Sequence, residues 1–199
     1  MQNLLETIQI IDGIPQNLAY HQLRFNSSRV ELFSALNNIS LENELNIPFA
    51  FQNGIVKCRI IYSKDIERIE YSNYKTHKIE KLILTETKIV YDHKYENRAE
   101  INELVKLHPN FDDVLMICKG EIKDTSYCNI VFYNGSDFFT PKYPMLHGTK
   151  RQQLIDKGQI MEQIIMAHDL SKFTHFGLIN AFKDLDFKNL ISINNIQID

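Results

Sequence analysis

Ile8 and Ile10 alternate with polar neighbours, and Ile14 follows an Asp12-Gly13 pair that tolerates positive φ; this pattern predicts a short β-hairpin. From Leu18 the period lengthens. Leu18, Leu23, Phe25, Val30, Phe33 and Leu36 recur among His, Arg, Ser and Asn, which predicts a helix over 18–36 with a break near Asn26, in a region closed by Pro48. Three segments rich in Ile and Tyr follow at 56–62, 66–71 and 79–84. Polar turns separate them, so they are expected to form an antiparallel meander.

The character changes again over 85–91, and a division is expected there between a domain of residues 1–85 and one of residues 88–199. Positions 97–107 read as a helix stopped by His108-Pro109. Short strands are expected at 114–118, 129–133 and 138–139, with Gly120 and Asn134-Gly135 as turns. Gly148 opens a helix through Gln152, Leu154 and Ile155, and 176–179 is the last apolar strand before Asn180. Strands first, then strands interleaved with helices, predict a mixed fold of α+β or α/β class: a small N-terminal α/β domain and a larger C-terminal one.

Composition narrows the function classes. Of 199 residues 44% are hydrophobic and 24% charged, which is globular and not disordered. The net charge of -3 offers no basic excess for nucleic acid, and no apolar run approaches the ~20 residues of a membrane span. The first residues lack the charged and apolar blocks of a signal peptide, so a cytoplasmic protein without a membrane partner is expected. Three widely spaced cysteines fit reduced thiols, and the seven histidines lack ligand spacing, so no metal site is expected.

Some residues are placed to carry chemistry. Lys94 sits where an extended segment turns into a helix, as a solvated lysine or as one held at a cleft. Asp124, Thr125, Ser126 and Asn129 gather an acid, hydroxyls and an amide in a stretch read as the loop between two strands. Gly148-Thr149 at a helix start is either an ordinary cap or a place where backbone amides meet an anion. His21 and Arg24 share a helix face, which is solvated or else supplies an arginine for bidentate capture of phosphate.

Taken in order, these segments resemble the class IV aminotransferases, the pyridoxal-phosphate enzymes of fold type IV. The stretch from Glu6 to Gly13, followed by His21-Gln22-Leu23-Arg24, is similar to the family's opening hairpin and phosphate-binding arginine. Lys94 with Asn97 and Arg98 resembles the cofactor-lysine segment in the form seen in aminodeoxychorismate lyases. Asp124 through Asn129 resembles the loop whose acid meets the pyridine nitrogen. Thr140-Pro141 and Gly148-Thr149-Lys150-Arg151 are similar to the Thr-Pro and Gly-x-x-Arg segments, and Asn180-Ala181 to the last phosphate loop in its lyase form. Two departures are noted: Asp124 stands where the family has glutamate, and the first strand and glycine-containing segment that usually precede the Glu6 stretch are expected to be missing.

The resemblance implies a two-domain fold like that of D-amino acid aminotransferase, with the cofactor in the cleft between domains. Lys94 is then the catalytic residue that carries pyridoxal phosphate. Arg24, Asp124, Asn129, Thr149, Lys150, Asn180 and Ala181 join Lys94 in holding it. It implies a homodimer and a small-molecule amine substrate. Three functions stay open: an aminodeoxychorismate lyase forming 4-aminobenzoate and pyruvate for folate synthesis, an aminotransferase for branched-chain or D-amino acids, or a pyridoxal-phosphate-binding protein without turnover.

Overall fold

In a computed structural model, which describes residues 2–198, the chain falls into two units: Met1–Thr76 with His93–Asn97, and His77–Asp92 with Arg98–Asp199. The first unit is a sheet under a helix. Strand β1 (Leu4–Ile11) turns through Asp12 and Gly13, both at positive φ, into the short β2 (Ile14–Pro15). Helix α1 (Leu18–Phe33) and the single-turn α2 (Leu41–Glu44) lead to β3 (Ile55–Tyr62) and β4 (Ile66–Asn73). The sheet order is β2-β1-β3-β4, antiparallel throughout, with β1 and β3 in register from Leu4 opposite Tyr62 to Ile11 opposite Ile55.

Alternation along the strands decides the core. Leu4, Ile8 and Ile10 of β1 and Val56, Cys58, Ile60 and Tyr62 of β3 turn to one face and are fully or almost fully buried. Phe25 of α1 packs onto that face, its ring centroid 4.5 Å from that of Tyr62. The break expected near Asn26 does not occur. Gln22 Nε2 donates to Asn26 Oδ1 at 2.9 Å, an i,i+4 bond along the helix that keeps the amide from competing with the backbone. The helix ends instead at Ser34 (φ 50), and buried Arg29 donates to the Asn37 carbonyl just beyond and to the Lys64 carbonyl in the turn between β3 and β4.

In the second unit, β5 (Leu82–Glu86), α3 (Ala99–Lys106), β6 (Asp113–Cys118), β7 (Glu121–Thr125), β8 (Asn129–Tyr133) and β9 (Phe138–Pro141) follow in order. Then come α4 (Thr149–Asp156), β10 (Met161–Gln163), β11 (His175–Ile179), β12 (Ile191–Ser192) and β13 (Ile196–Ile198). They form two sheets, β13-β5-β6-β7 and β10-β9-β8-β11-β12. Leu82, Leu84, Leu115 and Ile122 of one meet Ile130, Phe132, Phe176 and Leu178 of the other in a shared core. Helix α3 covers the far side of the first sheet, against Ile83, Val114 and Met116; α4 covers the second, with Leu154 against Val131 and Ile179.

Four expectations need correction. The segment at 79–84 is no meander strand: β5 pairs in parallel with β6 and β13, so it belongs to the second unit. The stretch read as a loop from Gly120 to Asn129 holds β7, and Ile179 does not close the last strand, since β12 and β13 follow. The division also falls at Thr76 and not between 85 and 88, and Lys94 goes with the first unit. The Leu5 N–H donates to the Lys94 carbonyl at 2.8 Å, and the Glu96 N–H to the Asn3 carbonyl at 2.8 Å, so His93–Asn97 runs alongside the start of β1.

Candidate active site

Glu6 breaks the apolar alternation of β1. It stands between Leu4 and Ile8 on the core face and has no exposed surface. Burial would push its carboxyl up, but Arg24 first and then His21 outweigh this and hold it down at about 2. Arg24 grips it with two bonds, Nε to Oε1 at 2.8 Å and Nη2 to Oε2 at 2.6 Å. His21 Nδ1 lies 2.6 Å from the same Oε2, and burial pushes the imidazole pKa down while Glu6 pulls it up. Arg24 is therefore not on a solvated helix face; its side chain is 15% exposed. Lys94 is half-buried, its carbonyl accepts from the N–H of Leu5 next to Glu6, and it acts electrostatically on His21.

The second unit holds another buried carboxylate. Asp124 is the next-to-last residue of β7, and its Oδ1 accepts from Asn129 Nδ2 at 2.8 Å while its Oδ2 accepts from the Leu146 N–H at 2.9 Å. Burial dominates and pushes its pKa up to about 6, against the opposing pull of these donors and of Arg151. Asn129 Nδ2 also reaches the Leu146 carbonyl at 2.8 Å. Gly148 closes the arrangement: a Cβ there would lie 1.9 Å from Asn129 Oδ1. Helix α4 starts from Gly148 without a side-chain cap, leaving its first turn suited to an anion.

The remaining predicted residues lie in the same unit. Thr149 is buried as the first residue of α4, and the Lys150 ammonium pairs with Asp184. Asn180 Nδ2 donates to Cys128 Sγ at 3.2 Å and its Oδ1 accepts the Phe182 N–H at 2.8 Å, which places Ala181 at the tip of a tight turn closed by Asn180 and Lys183. Lys94 and Arg24 thus group in the first unit, and Asp124, Asn129, Thr149, Lys150, Asn180 and Ala181 in the second.

Sequence reasoning missed Glu6 as a site residue, although a glutamate at an inward position of an Ile-rich strand signals it. It also missed the support under the turn after Asp124. Arg98 donates to the Ser126 carbonyl and stacks over Tyr127 at 3.8 Å, while Asp113 Oδ1 accepts the Ser126 N–H at 3.3 Å. The three cysteines are free thiols, and among the described residues no cluster of metal-ligating side chains occurs and no helix is long and apolar enough to cross a membrane.

Comparison with known proteins bears on the family and the fold. The model of the family described as amino-transferase class IV matches residues 92–185. An uncharacterized protein of Haemophilus influenzae (strain Rd) is 32% identical over 189 residues, covering 93% of this chain and all of that protein. A solved structure from Haemophilus somnus 129PT, described as a candidate 4-amino-4-deoxychorismate lyase, is 27% identical with a TM-score of 0.84, over 93% of this chain and 98% of that one. A hypothetical aminotransferase from Mycobacterium tuberculosis in its pyridoxal-phosphate-bound form shares the fold at 17% identity, with a TM-score of 0.78 over all of this chain and 81% of that one. With the fold shared along the whole chain and the family match spanning its centre, this protein belongs to the class IV aminotransferases, a family of pyridoxal-phosphate-dependent enzymes.

Proposed function

We propose that this enzyme is an aminodeoxychorismate lyase, converting 4-amino-4-deoxychorismate to 4-aminobenzoate and pyruvate in folate synthesis. The observation that carries the reading is the likeness to the Haemophilus somnus structure over nearly the full length of both chains. The lyase-like segments Lys94-x-x-Asn97-Arg98 and Asn180-Ala181 support it. The same reading takes the protein as a cytoplasmic homodimer.

The residues present fit pyridoxal phosphate by their chemistry. An amine stands at Lys94 for an aldehyde, a buried acid at Asp124 for a ring nitrogen, and a guanidinium at Arg24 with the uncapped start of α4 for a phosphate. Bound, the cofactor supplies the electron sink that makes a substrate C–H acidic.

Lys94 Nζ would hold the cofactor by its aldehyde and, once freed by the substrate amine, would serve as the base for the proton on the ring carbon bearing that amine. The enolpyruvyl oxygen leaves with the electron pair, and pyruvate and the aromatic ring form without net oxidation. Asp124 would meet the pyridine nitrogen and favour its protonated form. A carboxyl whose pKa burial has raised is a poor anion alone, and a cationic ring nitrogen beside it restores its charge. Asn129 works through Asp124, since its amide binds that carboxylate. Arg24 of the first unit, and Thr149, Lys150 and Ala181 of the second, are the residues that would take the phosphate end, and Asn180 shapes the turn that carries Ala181.

A second reading, an aminotransferase for branched-chain or D-amino acids, uses the same residues, and the aminotransferase likeness favours it. The two separate in one assay. The lyase releases pyruvate and 4-aminobenzoate from aminodeoxychorismate with no oxo acid present. Amino-group exchange between an amino acid and 2-oxoglutarate, with no pyruvate released, replaces the lyase by the aminotransferase. Cofactor binding with neither reaction leaves a binding protein.

A further inference from the structure

A carboxylate on the core face of an apolar strand needs a reason. Leu4, Ile8 and Ile10 fill the same face, and an aliphatic residue at position 6 would continue their packing. Burying an ion pair seldom stabilises a fold more than apolar residues of similar volume do, so stability alone does not account for Glu6. The neighbours of Glu6 suggest another role. Its carboxylate fixes the Arg24 guanidinium through two parallel bonds, a geometry that permits little rotation, and His21 secures it from a third direction. Immediately before it, the Leu5 N–H holds the Lys94 carbonyl, and Leu4 bridges to Tyr95. Two consecutive residues of β1 therefore hold the main chain of one predicted cofactor anchor and the side chain of the other.

We propose that Glu6 is a positioning residue for the cofactor: it fixes the Arg24 guanidinium relative to Lys94, and so sets the spacing between the group that takes the phosphate and the group that takes the aldehyde. This rests on the assignment of Lys94 and Arg24 made above. Glu6 itself touches neither end of the cofactor. Its carboxylate stays ionised at any working pH, so the grip on Arg24 does not titrate away.

The test compares pyridoxal phosphate with pyridoxal, which lacks the phosphate, in absorbance titrations of the apoprotein. The ratio of the two dissociation constants reports what the phosphate contributes. Arg24→Ala is expected to collapse the ratio at least tenfold, which checks the underlying assignment. Glu6→Gln is expected to lower it about tenfold while the pyridoxal constant changes less than threefold. Glu6→Asp keeps the charge and draws the carboxylate back by one methylene, so it is expected to lower the ratio as well, and it decides the matter if Glu6→Gln does not fold. A folded Glu6→Gln or Glu6→Asp protein with the wild-type ratio, beside a collapsed ratio in Arg24→Ala, overturns the positioning role alone. An unchanged ratio in Arg24→Ala removes the phosphate assignment, and the proposal with it.

Discussion

The Leu146 amide donates to Oδ2 of Asp124 at 2.9 Å, which ties the end of β7 to the segment that leads into helix α4. One carboxylate thereby serves two purposes, as the predicted partner of the pyridine nitrogen and as the pin for the loop before the helix proposed to take the phosphate. Asp124→Asn keeps the shape but turns an NH2 toward either Leu146 N–H or Asn129 Nδ2, donor against donor. The expected cost is about 1–3 kcal/mol in stability, together with a marked loss of turnover. Asp124→Glu adds a methylene to a buried site and is expected to cost about as much through overpacking. Thermal unfolding and steady-state rates of both variants check this; full activity in Asp124→Asn means that the ring nitrogen finds another partner.

Gly148→Ala is expected to be costly for a steric reason alone, because φ at Gly148 is -70° and an alanine can adopt it. The added methyl would overlap Asn129 Oδ1 at 1.9 Å, displacing the amide that holds Asp124. A loss of roughly 1–3 kcal/mol is expected. Much of it should return in Gly148→Ala with Asn129→Ser, which makes room while turnover stays low. Equal unfolding temperatures for Gly148→Ala and wild type would show that the loop shifts without cost.

Glu6 and Asp124 give opposite pH signatures in the apoprotein. Glu6 has its pKa lowered on folding from 4.5 to about 2, so its stabilisation is fully present above pH 4.5 and is lost as pH falls through about 2. Asp124 has its pKa raised from 3.8 to about 6, so its contribution is fully present below pH 3.8 and is lost as pH rises through about 6. That difference corresponds to about 3 kcal/mol. Denaturant unfolding of the apoprotein between pH 4.5 and 7 is expected to show wild type losing stability relative to Asp124→Asn as pH rises. Parallel profiles would show that Asp124 is solvated.

Much of the first unit was legible because its strands obey a simple alternation: β1, β3 and β4 carry inward Ile, Val, Cys and Tyr, and Asp12-Gly13 supplies the turn. The segment at 79–84 misled because an apolar run does not reveal its partner, and only the pairing with β6 and β13 moves it to the other unit. Strand β7 was hidden because Lys123 and Asp124 look like loop residues, yet Ile122 and Asp124 are buried on it. The place of Lys94 beside Leu5 rests on a long-range backbone bond that no local pattern encodes. Of the candidate site, the residue types were legible from resemblance, but the grip of Glu6 on Arg24 and the work of Asn129 on Asp124 were not.

The central claim is that Lys94 is the cofactor lysine, and borohydride reduction of the protein loaded with pyridoxal phosphate, followed by peptide mapping, tests it most directly. The predicted result is a single reduced adduct on the peptide that contains Lys94. In Lys94→Ala the adduct is expected to vanish and turnover to fall by several orders of magnitude, while the unfolding temperature barely changes. An adduct on Lys75, Lys78 or Lys88, or normal turnover in Lys94→Ala, would contradict it.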